Sequence, residues 1–375
     1  MEDDDFAADL LDEVYAFTGR FVAYPSEDAH VAHVLWIAHA HMMDAWESTP
    51  RIAFLSPEPG SGKTRALEIS ELLVPRPVEA VNVTPAYLFR KVADEAGAPT
   101  ILFDEIDTIF GPRAKDNEEI RGLLNAGHRR GAVAGRCVVR GKVVETEEIP
   151  AYCAVALAGL GDLPDTILTR SVIIRMRRRS PEETVEAYRR RVHKPEGDEV
   201  KDRLAGWASF VSADIGEAWP DMPPGVKDRD ADVWEPLLAV ADAAGGHWPE
   251  RARVSCVSLV SASKTSTPSL GIRLLSDMKL VFGFSERMST KGIIETLCSL
   301  PEAPWGDLRG KSITDNGLAD RLRPYGIKSK QIRIGDWTGK GYDRSDFYDA
   351  WQRYLSLSPI ESETAETPET AEAAE

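Results

Sequence analysis

Apolar positions along the chain fall into four successive patterns before giving way to a polar tail. From Ala29 to Trp46 they recur at helical spacing (Val31, Val34, Leu35, Ile37, Ala38, Met42) and stop before Thr49-Pro50, so residues 1–50 are predicted to be helical. From Arg51 to Arg179 short apolar runs of strand length alternate with helical stretches. This predicts an α/β fold, a largely parallel sheet with helices on both faces. Arg51–Leu55 reads as its first strand and Val78–Val83 as its second. A helix capped by Thr84 with Pro85 in its first turn follows, then a strand from Thr100 to Phe103. Residues 180–286 read as a helical segment whose Trp207, Trp219, Trp234 and Trp248 are expected in the core. In residues 287–355, a helix (Thr290–Leu300), the segment Ile313–Ile327 and a basic element with Lys328, Lys330 and Arg333 come first. The turn-like Gly339–Tyr342 and a closing helix from Phe347 to Leu355 follow, an order that predicts a winged-helix-like domain.

Composition and charge sharpen this outline. At 375 residues, 43% hydrophobic and 28% charged, the chain can fill one large core or a few small ones. No apolar stretch approaches the ~20 residues needed to span a bilayer and the N-terminus is acidic, which predicts a cytoplasmic protein without membrane contact. Cys137, Cys153, Cys256 and Cys298 form no CxxC pair and are expected to be reduced core residues. His30, His33, His39 and His41 lack a convergent carboxylate or thiol and are read as packing or surface residues rather than metal ligands.

The net charge of −16 is concentrated at the ends. Residues 1–19 hold seven acids and residues 356–375 hold six, with no base in either. Removing these 13 from the 61 acids leaves 48 against 45 bases, or −3 for the body. The tail, rich in Thr, Glu and Ala, is expected to be disordered and solubilising. Within the body, Arg121, Arg129, Arg130, Arg136, Arg140 and Lys142 fall in a stretch without an acid, and Arg170 precedes the block Arg175 to Arg179. Such clusters suit phosphate-rich partners.

The chemistry-bearing motif begins where the first strand ends. Pro57-Glu58-Pro59-Gly60-Ser61-Gly62-Lys63-Thr64 lies between a strand and a helix. That order aims successive N–H groups and a helix N-terminus at one point, an anion site suited to the β-phosphate of a nucleotide. Pro59, Gly60, Ser61, Gly62, Lys63, Thr64 and Arg65 are the expected nucleotide-binding residues, with Lys63 reaching the β- and γ-phosphates. Pro57 stands where such loops usually begin with glycine. The strand Thr100–Phe103 then ends in Asp104-Glu105. Thr64 and Asp104 are expected to hold Mg²⁺, and Glu105 to orient and deprotonate an attacking water, giving an ATPase with ATP and Mg²⁺ as cofactors.

These motifs, with Leu157 to Ser171, resemble the AAA+ division of P-loop ATPases. Together with Ala231 to Asp242 and Gly245 to Pro249, they resemble more closely a helicase-like family of unknown function in bacteriophage and mobile-element replication proteins. The resemblance covers residues 23–355. It implies an AAA+ core over residues 51–179, a helical lid over 180–286, assembly into a homo-oligomeric ring such as a hexamer, and ATP-driven action on DNA. It implies a replicative helicase or translocase on single-stranded or forked DNA, with an ATP-controlled DNA-bound switch or helicase loader as the alternative. It also implies that Arg170 enters the neighbouring subunit's ATP site, with Arg129 and Arg130 as rivals. Ala158-Gly159 departs from the family, which usually places Asn or Thr at that strand tip. The residues from Arg136 to Glu147 read as a β-hairpin with Arg140 and Lys142 near its tip. By the same resemblance this hairpin projects into the ring's pore, where Arg136, Arg140 and Lys142 would grip DNA phosphates. Arg251 and Arg253 are candidates for sensing the γ-phosphate from the lid.

Overall fold

The computed structural model describes residues 3–80, 83–94, 97–110, 118–140, 143–161, 163–265, 270–300, 303–308, 311–335 and 337–355. It divides into two compact units, Met1–Lys264 and Thr265–Glu375. The acidic tail from residue 356 lies outside the described residues.

The first unit opens with helices α1 (Asp3–Phe21) and α2 (Glu27–Ala40). Ser26 caps α2 by accepting the Ala29 N–H, and every residue from Ala29 to Ala40 is buried, so α2 is a core helix rather than an amphipathic one. The sheet is built from β1 (Arg51–Ser56), β2 (Pro77–Glu79), β3 (Thr100–Phe103), and two later strands described below. Helix α3 (Lys63–Leu73) follows β1, and α4 (Pro85–Val92) follows β2. Thr84 caps α4 by accepting from Tyr87 N–H, with Pro85 in the first turn as the sequence predicts. β2 stops at Glu79, shorter than the predicted run to Val83; residues 81–82 are outside the described set.

After β3 come the short α5 (Asp107–Phe110), α6 (Glu118–Ala126) and an antiparallel pair, β4 (Val133–Arg140) and β5 (Val143–Pro150). β6 (Ala154–Leu160), α7 (Asp165–Leu168) and β7 (Ser171–Arg175) complete the sheet, whose order is β2-β3-β6-β1-β7 with every pairing parallel. Alternation along the strands splits the apolar residues between two layers. Ile52, Phe54, Leu102, Ala156 and Ile174 join the core shared with α1, α2 and later helices. Ala53, Leu55, Ile101, Phe103, Leu157 and Ile173 join a second core with α4 and α6. Helices therefore cover both faces, as expected.

Residues 180–189 are not helical as the sequence predicts. Their backbone is engaged elsewhere: Ser180 N–H donates to the Glu183 carboxylate and Glu186 N–H to Arg20 O. Helices α8 (Arg190–Gly216), α9 (Arg229–Ala244) and α10 (Trp248–Thr265) then pack into this unit. Trp207, Trp234 and Trp248 are buried, but Trp219 is 86% exposed. It follows the end of α8 and precedes Pro220, on a loop without a partner helix, so the expectation that it is core is wrong.

The second unit contains α11 (Leu270–Phe282), β8 (Arg287–Ser289), α12 (Thr290–Ser299), α13 (Asp315–Leu322), β9 (Lys330–Ile334), β10 (Trp337–Asp343) and α14 (Tyr348–Tyr354). Its three strands pair antiparallel in the order β8-β10-β9. The helical segment expected to run to Glu286 is thus divided, because α11 buries Leu274, Leu275, Met278 and Phe282 against Trp305, Phe347 and Trp351 of its own unit. No helix among the described residues is long and apolar enough to cross a membrane.

Candidate functional site

The C-terminal end of β1 releases the chain into a tight loop. Ser56 Oγ donates to Glu58 O (2.9 Å) and accepts the Glu58 N–H, turning the chain back at once. Gly60 (φ +75°) and Gly62 (φ +85°) take left-handed conformations that disfavour a side chain, and Gly62 is the residue before α3. Lys63 opens the helix and is only 9% exposed. Its ammonium donates to Ser61 Oγ (3.1 Å) and Glu58 O (3.3 Å), spanning the mouth of the loop. Burial pulls its pKa below the usual lysine value, and the Asp104 and Asp107 carboxylates oppose that shift. Pro59 O accepts from Arg178 Nε at 3.0 Å, so the arginine block after β7 touches this loop.

β3, two strands from β1, brings up the acidic pair. Thr64 Oγ1 donates to Asp104 Oδ2 at 2.9 Å, and Asp104 Oδ1 accepts the Glu105 N–H at 2.9 Å. Lys63, Thr64 and Asp104 therefore converge. Glu105 is exposed beside them with φ +53°, a conformation costing a non-glycine residue roughly 1 kcal/mol, and Ile106 N–H donating to Ala158 O fixes the turn. The tip of β6 has a steric reason to lack a larger residue: a Cβ on Gly159 would lie 2.7 Å from Ile106 Cγ2 and 3.0 Å from Asp107 Oδ1. Asp107 Oδ1 instead accepts the Leu160 N–H.

Beside the loop lies a cleft of about 360 Å³. Gly60, Ser61, Gly62 and Arg65 form one wall; Phe21 to Ala23 and Val185 to Tyr188 form the others, with Arg179 at the rim. Arg65 sits 5.0 Å over the Tyr188 ring and pairs with Glu68 at 2.7 Å. A mostly apolar slot joined to a nest of N–H groups has the chemistry to take a planar base linked to phosphate. Phe21 to Ala23 and Tyr188 carry no motif, and only the fold brings them beside the loop. Arg251 and Arg253 are committed elsewhere, to Glu27 and to both oxygens of Asp242.

Arg170 stands at the other end of the sheet. It directly precedes β7, and its carbonyl accepts the N–H of Arg51, the first residue of β1. β1 separates it from the Gly60–Gly62 loop by about 20 Å, six residues at ~3.3 Å each. A cavity of about 370 Å³ there is lined by Arg129, Arg170, Arg229 and His128, with Glu47 and Asp232 as its acids. Arg170 donates to Thr166 O and Arg229 to Thr169 Oγ1. Partial burial and the Arg229 charge lower the pKa of Arg170. Arg51 is buried, donating to Cys153 O and Leu124 O, and burial brings it down to about 10. Arg130 lies apart and donates to Met43 O and Asp44 O.

The predicted hairpin is present as β4 and β5, paired from Val133 with Pro150 to Arg140 with Val143. At ~3.4 Å per residue it extends about 27 Å. Arg136 stands opposite Glu147 in this register. Lys142 lies outside the described residues, as do the side chains of Arg136 and Arg140.

A family profile described as "Protein of unknown function (DUF3631)" matches residues 175–354. The "Uncharacterized 28.9 kDa protein in xis 5'region" of Saccharopolyspora erythraea is 42% identical over 186 residues, 49% of this chain and 70% of that protein. A solved apo structure, the A form of the NrS-1 C-terminal region, aligns with 88% of this chain and 74% of its own, at 12% identity and a TM-score of 0.39.

Proposed function

The chain belongs to the family of the uncharacterized 28.9 kDa Saccharopolyspora erythraea protein, and we propose that it is a Mg²⁺-dependent P-loop ATPase of the AAA+ type that acts on DNA. The observation that carries this reading is the 2.9 Å hydrogen bond from Thr64 Oγ1 to Asp104 next to the Lys63 ammonium. Two hard oxygen donors side by side suit Mg²⁺, which would supply charge neutralisation across the β- and γ-phosphate oxygens. Thr64 and Asp104 would hold it.

The loop amides at Gly60 to Lys63 bind the phosphates of ATP, and Lys63 balances their charge. Glu105, turned outward by its left-handed backbone, accepts a proton from the water that attacks the γ-phosphorus. The bond to the β–γ bridging oxygen breaks and ADP carries the electron pair away. The apolar cleft against Tyr188 takes the adenine. Arg170 lies too far away to reach its own chain's phosphates, so it serves the site of a second copy. This supports a homo-oligomeric ring, with a hexamer as the expected form. DNA as the partner rests on the basic clusters and the 27 Å hairpin, whose tip carries Arg140 and Lys142 in sequence. A translocating motor or helicase is the preferred form.

The small residues at the β6 tip favour the second reading, an ATP-controlled DNA-bound switch or loader, because Ala158 and Gly159 offer no side chain to position water. ATP turnover with and without single-stranded DNA separates the two. A motor is strongly stimulated, whereas a switch binds DNA in an ATP-dependent way with little stimulation. Glu105→Gln tests the chemistry in either case. ATP binding is retained while turnover falls by ~10²–10⁴-fold, and wild-type turnover in that variant would remove Glu105 from the mechanism.

A further inference from the structure

In the second unit, helix α13 packs as the second helix of a helix pair and the β9–β10 ribbon follows it, the place where a duplex-reading helix would be sought. Its exposed residues argue otherwise. Asp315 and Asp320 face solvent, Arg321 donates to Gly317 O, and Arg323 pairs with Asp320 at 2.7 Å. Positive charge that is not spent in this way lies on the ribbon. Between Lys328 and Tyr342 there are four Lys/Arg and one Asp, a local charge of 4 − 1 = +3 in a chain of −16. Lys330 pairs with Asp346, but Lys328, Arg333 and Lys340 enter no ion pair among the described residues.

The two faces of the ribbon differ. Trp337 pairs with Ile334 in the register, and both point to one side, 45% and 41% exposed. Arg333 pairs with Thr338, which together with Lys340 faces the opposite side. Trp337 is not a loose side chain: a Cβ at Gly339 would lie 2.4 Å from its ring, so the indole rests directly on the glycine two residues along the strand. Arg333 Nε donates to Gly335 O at 3.0 Å, turning its guanidinium toward the tip. The result is a fixed aromatic platform backed by cations on a ribbon two strands, or ~4.8 Å, across. One nucleic-acid strand crossing its edge meets both faces.

We propose that the β9–β10 ribbon is a single-stranded DNA contact, with Trp337 stacking on an unpaired base and Arg333 and Lys340 facing the flanking phosphates. Stacking requires a base face that a duplex keeps covered, which favours a single strand, and the +3 charge of the ribbon favours nucleic acid over a protein partner. The proposal shares the DNA partner of the preceding section but is independent of ATP hydrolysis.

The test uses the full chain without nucleotide and reads fluorescence anisotropy of a labelled oligothymidylate of ~20 nucleotides, against a duplex of equal length. Trp337→Ala weakens single-strand binding on the order of 5- to 100-fold, whereas Trp337→Phe stays within a few-fold of wild type. Arg333→Ala with Lys340→Ala lowers the slope of log affinity against log salt by about 1.4, ~0.7 per cation. DNA-free ATP turnover in Trp337→Ala equals that of the wild type. Unchanged binding in Trp337→Ala, equal losses in the Ala and Phe variants, or a wild-type preference for the duplex would each overturn the proposal. Absence of ATP turnover alongside Trp337-dependent binding would instead defeat the ATPase reading and leave the ribbon assignment standing.

Discussion

Lowering the pH from 7.5 to 5.5 should destabilise the first unit by an amount that can be worked from four histidines, three of them buried and His41 half-buried. His30 is stacked between Tyr15 and Tyr24 with Nε2 at 2.7 Å from Thr18 Oγ1. His33 bridges Tyr24 Oη and Ser70 Oγ, His39 meets Thr49 Oγ1 and Trp36 O, and His41 reaches Leu73 O. Burial holds His30, His33 and His39 down to about 3 and His41 to about 4, from 6.5. A folded pKa below the unfolded one means that the native state binds fewer protons. Its stability is therefore fully present above pH 6.5 and is lost as the pH falls toward the folded values. Between pH 7.5 and 5.5 the unfolded rings become protonated and the folded rings do not, costing about 1.4 kcal/mol each, or ~5 kcal/mol for four. That is a large share of the 5–15 kcal/mol typical of a domain. Urea unfolding followed by tryptophan fluorescence at the two pH values measures it, and His41→Gln should reduce the pH dependence by about a quarter. Equal stability at both pH values, or folded-state histidine NMR signals titrating near 6.5, would refute the burial argument.

Two further outcomes follow from the ATPase reading. Arg170→Ala should lower turnover by ~10³–10⁵-fold while ATP binding persists. Mixed with Glu105→Gln subunits, it should regain activity at interfaces that pair an intact Arg170 with an intact Glu105, as a coupled phosphate-release assay would read. Arg140→Ala with Lys142→Ala should weaken DNA binding and reduce its salt slope by up to about two ions, and identical binding curves across salt would place the DNA site elsewhere.

What the sequence made legible was what local chemistry dictates. The strand–loop–helix around Lys63, the Thr84 cap with Pro85, the acidic strand end at Asp104 and the β4–β5 hairpin all have signatures within a few residues, and each forms where it was expected. Features that depend on contacts distant in sequence were not legible. The cleft beside the loop needs Phe21 to Ala23 and Tyr188, which are brought together by the Glu186 to Arg20 backbone bond, and neither stretch has a pattern of its own. The unit boundary lies earlier than the sequence predicts because α11 reads like the helices before it; only its packing against Trp305 and Trp351 assigns it to the second unit. Trp219 departs from the expected burial because residue type predicts burial on average, whereas its loop leaves it exposed.

A parallel sheet also constrains how the proposed chemistry can be completed. All strand C-terminal ends lie on one side, so β1 and β3 can deliver Lys63, Thr64, Asp104 and Glu105 to a single point only there. The N-terminal ends of β1 and β7 lie on the opposite side, where Arg170 lines a cavity whose arginines outnumber its carboxylates. A rigid sheet with both faces packed cannot fold back to join the two across ~20 Å. An anion bound at the phosphate loop therefore gains the Arg170 charge only from another chain whose N-terminal strand ends face it. By this geometry, turnover per chain should rise with protein concentration as the copies assemble, and ATP binding by a single chain should not. A concentration-independent specific activity in a strictly monomeric sample would show that Arg170 has no part in hydrolysis.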